Sequence, residues 1–402
     1  YIDITKEYNN MVANPNIKKS VFNARKLEQK ISQLQQESGY PYILNIDTAN
    51  QTNPVDGKII MSNLCSEILQ PQEPSKLDDD LSYKTIDISC NLGSTNIMNM
   101  IDSPDFGHSV EVAVRALTLV TDTTDVKEVP TVKHGNELYH TIGLGAMGLH
   151  TALARHQIEY GSPEALEFTD AYFLALNYYS LVTSNRIARE RHETFAKFDQ
   201  SKYADGSYFD QYLNADFEFK STKVAKIFKN IKLPSVTDWK ALKQAVITGG
   251  LYHRNRLAVA PNGSISYVNE TSASLHPITQ LVEQRQENKV GSIFYPAPYL
   301  SNETLPYYTP AYDIDQRKII DTYAVAQKHI DQGMSLTLFM RSVLKPDLYE
   351  WKDNNNLKMT TRDLNRLRNY AWTKGIKSLY YIRTFTEDDE IKTANECESC
   401  MI

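Results

Sequence analysis

The stretch RLAVAPNGSISYVN (256–269) carries the reading on which the fold turns. RLAVA (256–260) is a short run of β-type residues, and PNGS (261–264) is dense in turn formers. Beyond the turn the chain resumes as a helix start. A strand leaving through a tight turn into a helix is the unit from which parallel sheets are built. Upstream, residues 238–247 have helical spacing and stop at Gly249-Gly250, as helices do at glycine. A longer helix starts at Ser162-Pro163, a cap followed by proline at the first helical position, and runs to His192. Its middle is apolar nearly all round, which predicts burial. Residues 109–121 have helical spacing too, and in YKTIDISCNL (83–92) the residues Ile86, Ile88 and Cys90 fall on one face of a predicted strand. Downstream come a helix over 315–331, a strand in SLTLFM (335–340), a capped helix over 361–374 and a strand in SLYYIRTF (378–385). Strands alternating with helices argue for an α/β fold with parallel strands. Ahead of this region, residues 12–40 read as one or two polar surface helices broken at 16–19. Residues 42–46 are an apolar run of strand length, and TANQTNPVDGK (48–58) and PQEPSKLDDD (71–80) read as loops.

At 402 residues the chain has room for two or three ordinary domains or one large one, with no internal repeat. Hydrophobic residues at 41% and charged residues at 23% are the composition of a soluble globular protein. The net charge of −6 leaves no basic surplus to neutralise a phosphate backbone, so nucleic acid is not the expected partner. Small phosphorylated ligands need only a few local donors and remain open. Four cysteines do not make a disulfide framework and suit a reducing cytoplasm. No apolar run is long enough for a bilayer, and no signal peptide is evident.

The cysteines divide by context. Cys65 in SNLCSEI (62–68) has Asn63 and Glu67 two residues to either side. In an extended segment all three side chains would share one face, gathering a thiol, a carboxylate and an amide. The plainer reading is a buried thiol beside a surface glutamate. Cys90, on the apolar face of its predicted strand, reads first as a core cysteine. Cys397 and Cys400 form a C-x-x-C in an acidic terminal stretch. Half a zinc site is one reading, but a second pair is missing. A tethered dithiol that exchanges electrons with another dithiol fits better. GLGAMG (143–148) is a literal G-x-G-x-x-G, yet HGNELYHTI before it is no apolar strand. A dinucleotide site is therefore not expected, and the glycines are read as permitting close helix packing.

Taken together, these strings resemble the class I ribonucleotide reductase large subunit. SNLCSEI resembles its thiyl-radical loop, TIDISCNLGSTNI (85–97) the strand after it, and LAVAPNGSISYVN its substrate-phosphate loop. SLTLFMRS, the paired tyrosines of KSLYYIRTF and the terminal C-x-x-C follow in the family's order. Trp239, Leu242, Gly250, Leu251, Tyr252, His253 and Pro261 stand at the spacings of its signature. The terminal C-x-x-C and YPAPYLSNETL (295–305) look most like class Ib. The resemblance implies a finger loop plus the second half of a ten-stranded α/β barrel, with a flexible C-terminal tail. Residues 1–58 would lead in from an N-terminal half, 59–385 form the half-barrel, and 386–402 the redox tail. It implies that Cys65 becomes the thiyl radical that removes the 3′-hydrogen of a ribonucleoside diphosphate, with Glu67 as general base and Asn63 orienting it. Cys90 would be one of two reducing thiols, Tyr380 and Tyr381 the radical relay, and Cys397 and Cys400 the re-reducing pair. Pro261, Asn262, Gly263, Ser264, Ile265 and Ser266 would hold the diphosphate through backbone N–H groups, without a basic residue.

The implied partners are a radical-generating small subunit with a metal-tyrosyl centre and a thioredoxin- or glutaredoxin-like dithiol. A homodimer of the complete large subunit is also implied, with no cofactor or metal held by this chain and a cytoplasmic setting. Two departures stand out. Asn262 replaces the family's usual threonine, though an amide can still bond phosphate. No cysteine here matches the partner of Cys90, which the family carries on an early strand of its N-terminal half. The chain alone is therefore expected to lack reductase activity, and its start at Tyr1 reads as a truncated or split coding sequence. The other readings are a non-catalytic assembly fragment, which predicts eroded site residues, and a thiol–disulfide oxidoreductase, which predicts a compact setting for the C-x-x-C.

Overall fold

The computed structural model describes residues 4–72, 86–287 and 291–385. Its strands are β1 (Ile43–Leu44), β2 (Leu92–Asn96), β3 (Gly143–Met147), β4 (Val282–Glu287), β5 (Gly291–Pro296), β6 (Leu338–Arg341), β7 (Ser378–Leu379) and β8 (Ile382–Phe385). β2 runs parallel to β3, from Leu92↔Gly143 to Asn96↔Met147. β6 runs parallel to β8, from Leu338↔Ile382 to Arg341↔Phe385. The RLAVA segment joins these two pairs, because parallel bridges tie Leu144 to Leu257 and Val259 to Met334. The resulting order is β2, β3, 257–259, the segment from Met334 through β6, and β8, all parallel. β4 and β5 form a separate antiparallel hairpin, and β1 pairs antiparallel with β7. The α/β class and the half-barrel arrangement expected from the sequence are both present.

Helices cover the sheet, and each has a local cause. Pro163–Arg191 starts where the Ser162 side chain accepts from the Ala165 N–H, and it ends at left-handed His192. Phe168, Tyr172, Phe173 and Leu176 are buried along it, as its all-round apolarity predicts. Helices Phe106–Thr123 and Gln316–Gln327 pack on it and share its core. Val236–Gly249 and Thr361–Thr373 both open with a reciprocal capping box, Ser235 with Asp238 and Thr360 with Asp363. Among the described residues no helix is long and apolar enough to cross a membrane.

Four expectations change. Residues 86–90 are not a paired strand: the Asp87 N–H donates to Thr131 O in helix Pro130–Tyr139, so the ladder begins only at Leu92. Cys90 is accordingly exposed and not a core residue. GLGAM is strand β3, and Gly143 and Gly145 serve sheet packing instead of helix packing, whereas Gly148 is left-handed at φ 87° where helix Leu149–Arg155 begins. A Cβ on Gly145 would lie 2.3 Å from Ala258 O. The loop at 48–58 begins inside a short helix, Ile46–Gln51, which Asn50 closes by bonding Ile46 O and both backbone groups of Ile59. Finally, SLYYIRTF is interrupted at Tyr380-Tyr381, because β7 and β8 have different partners.

A buried polar knot fixes the middle of the sheet. Asp331 accepts from the N–H groups of Arg256 and Leu257 at 2.9 and 2.7 Å. The wholly buried Arg256 guanidinium donates to Ser180 Oγ, Asn177 Oδ1 and Tyr203 Oη at 2.6, 3.2 and 3.1 Å. Burial opposes charge on Arg256, and Tyr203 and Asp331 together more than restore it. Asp331→Ala leaves the buried N–H groups of Arg256 and Leu257 without their acceptor and takes a counter-charge from the guanidinium, and is expected to cost about 3–5 kcal/mol of stability, read as a lower urea midpoint.

Candidate active site

The thiol loop is a turn, where the sequence suggested an extended segment. The Ser66 N–H donates to Asn63 O at 3.1 Å, and Ser66 sits in the left-handed region at φ 66°. Asn63 and Glu67 still meet, because the turn folds one onto the other. Asn63 Nδ2 donates to Glu67 Oε1 at 2.9 Å, and its Oδ1 accepts from the Ile68 N–H at 3.0 Å. Glu67 is 1% exposed, and Cys65 is half-buried beside it.

Two serines hang this loop on the half-barrel. Ser335 Oγ lies 2.5 Å from Cys65 O and 3.0 Å from Glu67 Oε2, and its single proton serves one at a time. Ser378 Oγ donates to Ser66 O at 2.8 Å, and the Gly333 N–H to Glu67 O at 2.8 Å. Sequence reading passed over both serines. The signal was available: each opens one of the apolar runs singled out, SLTLFM and SLYYIRTF, where a small polar residue is out of keeping.

Burial pushes the Glu67 carboxyl above its ordinary range, against hydrogen bonds from Asn63, its own backbone and Ser335. Although Cys90 is exposed as a residue, the protein atoms packed around its sulfur push the thiol up to about 11, with the charge of Glu67 and then Cys65 acting the same way. An Asn63 hydrogen bond acts the other way. Asn63, Cys65, Glu67 and Cys90 therefore share one electrostatic neighbourhood, and both cysteines are free thiols. Removing the Ser335 hydroxyl takes away one influence that favours the carboxylate. Ser335→Ala is expected to move the acidic limb of any Glu67-dependent activity to higher pH, at a stability cost of about 1 kcal/mol. A pH–rate profile beside a urea melt checks both.

Tyrosines lead away from the thiol. Tyr380 is 3% exposed, and its hydroxyl donates to Cys65 Sγ at 3.5 Å. Its ring lies 4.3 Å, centroid to centroid, from that of Tyr381. Tyr42 packs against both, at 4.7 and 5.0 Å, and Tyr40 Oη is 2.8 Å from Tyr381 Oη. Tyr40 and Tyr42 were not anticipated, since Tyr40 closes the stretch read as polar surface helices (12–40) and Tyr42 opens the apolar run 42–46.

The turn at 261–266 follows the 257–259 segment, which pairs with the stretch carrying Ser335. Asn262 is left-handed at φ 53°, which turns its amide inward. Its Nδ2 donates to Ala260 O at 3.0 Å, and its Oδ1 accepts from Ser94 Oγ at 3.0 Å. That side chain is engaged within the protein. Ser266 is buried and bonds Gly263 O at 2.7 Å. Pro261 is half-buried, Ser264 and Ile265 are exposed, and the space beside Gly263 is open. The start of helix Gly263–Val268 is thus the accessible part of this turn. Cys397 and Cys400 lie outside the described residues. Among the described residues no three of His, Cys, Asp and Glu are grouped to hold a metal ion.

These features define an α/β barrel-type protein with a half-buried thiol beside a row of packed tyrosines. The family model described as "Ribonucleotide reductase, barrel domain" matches residues 2–382, and the chain belongs to that family. It is 41% identical over 405 residues to the ribonucleoside-diphosphate reductase subunit alpha of Bacillus subtilis (strain 168), covering 100% of this chain and 55% of that protein. To the subunit of the same name from Mycoplasma pneumoniae it is 41% identical over 415 residues, with the same coverage. Its fold is similar to that of the Actinobacillus ureae class Id ribonucleotide reductase alpha subunit, with a TM-score of 0.60 at 19% identity. That match covers 95% of this chain and 64% of the other. The chain thus spans about half the length of the curated relatives it matches.

Proposed function

We propose that this chain is the catalytic half of a ribonucleoside-diphosphate reductase large subunit, reducing the 2′-hydroxyl of ribonucleoside diphosphates by thiyl-radical chemistry. The observation that carries the reading is the seating of Cys65 between the Tyr380 hydroxyl and the Asn63–Glu67 pair. A radical relayed through Tyr381 and Tyr380 takes the hydrogen atom of the Cys65 thiol. The thiyl radical then removes the substrate 3′-hydrogen while Glu67, oriented by Asn63, accepts the 3′-hydroxyl proton. The 2′-hydroxyl leaves as water. Cys90 and a second thiol give up two hydrogen atoms and close to a disulfide, and the 3′-hydrogen returns from Cys65. Nothing in this chain matches the second thiol, so we assign it to a further segment of the same large subunit. Cys397 and Cys400 would reopen the disulfide and pass the oxidation to a thioredoxin- or glutaredoxin-like dithiol. The open start of helix Gly263–Val268 supports seating of the diphosphate at 261–266.

On this reading residues 1–58 lead in, 59–385 form the half-barrel, and 386–402 are the redox tail of a cytoplasmic enzyme. The complete large subunit would act as a homodimer with a radical-generating small subunit carrying a metal-tyrosyl centre. The test is turnover with purified components. The longer protein containing this chain, with the small subunit and a dithiol donor, should form deoxyribonucleoside diphosphates, and the isolated 402-residue chain should form none. Sustained product from the isolated chain would sink the half-enzyme reading, and no product from the complete set would sink the reductase.

A further inference from the structure

The turn Gly39-Tyr40-Pro41-Tyr42 has no part in the chemistry above, yet it lies against the outer tyrosine of the pair. Tyr40 is 44% exposed, and its hydroxyl is 2.8 Å from that of Tyr381, with the two rings edge-on at 5.4 Å. The turn is itself held in place. Gly39 caps helix Ala24–Ser38 in the left-handed region at φ 78°, and a Cβ there would lie 2.9 Å from Tyr381 Cδ1. Gln35, wholly buried, donates to Pro41 O at 2.7 Å and accepts from Arg368 Nη1 at 2.8 Å. Arg368, from helix Thr361–Thr373, also pairs with Glu28. Two helices thus fix where the Tyr40 hydroxyl stands.

We propose that Tyr40 is a positioning residue for the radical relay, holding the ring and hydroxyl of Tyr381 in the orientation from which it exchanges with Tyr380. The proposal rests on the reading of Tyr380 and Tyr381 as that relay. In balance, Tyr381 loses one electron to the oxidant carried by the radical-generating subunit and its phenolic proton to water. The Tyr381 phenoxyl radical takes a hydrogen atom from Tyr380, and the Tyr380 radical takes one from the Cys65 thiol. Tyr40 is unchanged throughout. Its hydroxyl anchors the one relay ring that is not fully buried, and it donates a hydrogen bond to the phenoxyl oxygen once Tyr381 is oxidised. Without that anchor the half-buried Tyr381 ring is held mainly by its packing on Gly39 and Tyr42, and its 4.3 Å contact with Tyr380 is less firmly fixed.

The experiment uses the complete large subunit with its radical-generating partner. The easily oxidised analogue 3-aminotyrosine, placed at position 381, traps the radical for electron paramagnetic resonance in H2O and D2O. With Tyr40 present, the trapped radical should show an exchangeable-proton coupling from the neighbouring hydroxyl. Tyr40→Phe keeps the ring and should remove that coupling. In the subunit without the analogue, Tyr40→Phe should lower kcat about tenfold, as for one lost hydrogen bond, with KM for the nucleotide unchanged. Gly39→Ala, which pushes into the Tyr381 ring, should lower kcat with KM likewise unchanged. An unchanged coupling and unchanged kcat in Tyr40→Phe would overturn the proposal, as would a fall in kcat with a matching rise in KM, the mark of general loosening. The relay reading is checked separately: a fully active Tyr381→Phe enzyme would remove the relay, and the proposal with it.

Discussion

In the complete enzyme, Cys65→Ser is expected to abolish deoxyribonucleotide formation, a fall of at least about 10⁴-fold to the assay background. Serine nearly preserves the shape of cysteine, so the loop held by Ser335 and Ser378 should keep its geometry. What changes is the strength of the bond to hydrogen. A phenoxyl radical at Tyr380, 3.5 Å from the sulfur, can draw hydrogen from a thiol but not from the much stronger O–H of an alcohol. The relay would then stop one residue short of substrate. Stability should move by no more than about 1 kcal/mol, because a half-buried sulfur is exchanged for a smaller atom that the turn can hydrate. Thermal melts and turnover measured on the same preparation separate the two effects. Residual activity of even a few per cent of wild type, with contaminating wild-type enzyme excluded, would take the thiol out of the reaction.

The second large effect is at Glu67. Glu67→Gln keeps the size of the side chain and a partner for Asn63 but cannot accept a proton, so turnover should fall about 10²–10⁴-fold. The pH behaviour of activity and stability should run in opposite directions. Burial holds the folded-state pKa of Glu67 above its ordinary value of 4.5, so activity that needs the carboxylate rises with pH through that raised pKa. A folded state that binds a proton more tightly than the unfolded chain is favoured at low pH. Its advantage is complete below 4.5 and is lost as pH climbs through the folded pKa. The variant has no such proton. Its stability relative to wild type should therefore improve as pH rises across that window, while its activity stays low throughout. A constant stability difference from pH 4 to pH 8 would show that burial does not govern this carboxylate.

Much of the fold was legible because periodic segments repeat a signal many times over. The helix Pro163–Arg191 announced itself through its cap, its proline and an apolar middle, each pointing the same way. Three of the parallel segments, those in RLAVA, SLTLFM and SLYYIRTF, were legible as apolar runs, the expected signature where both faces are covered, whereas β2 and β3 were not. What the sequence hid was decided by partners distant along the chain. Nothing in TIDISC shows that Thr131 takes the Asp87 N–H and keeps that stretch out of the ladder. Nothing local to GLGAMG shows that Ala258 lies against Gly145. At the site, the trio at 63, 65 and 67 was found for a geometric reason that did not hold. Alternate spacing suggested a shared strand face, whereas a turn with left-handed Ser66 brings Asn63 onto Glu67. Ser335 and Tyr40 were out of reach, because their importance lies only in what folds against them, 268 and 341 positions away.

The interruption between β7 and β8 has a consequence for anyone who would improve this protein. In an unbroken ribbon, successive side chains face opposite ways, and neighbouring tyrosines would stand on different sides of the sheet. Here the chain changes partners between Leu379 and Ile382, and that irregularity lets two consecutive rings approach to 4.3 Å. Sequence optimisation that rewards ideal strand geometry would smooth this kink and yield a sturdier molecule in which the two rings no longer meet, which on the proposed reading would break the relay.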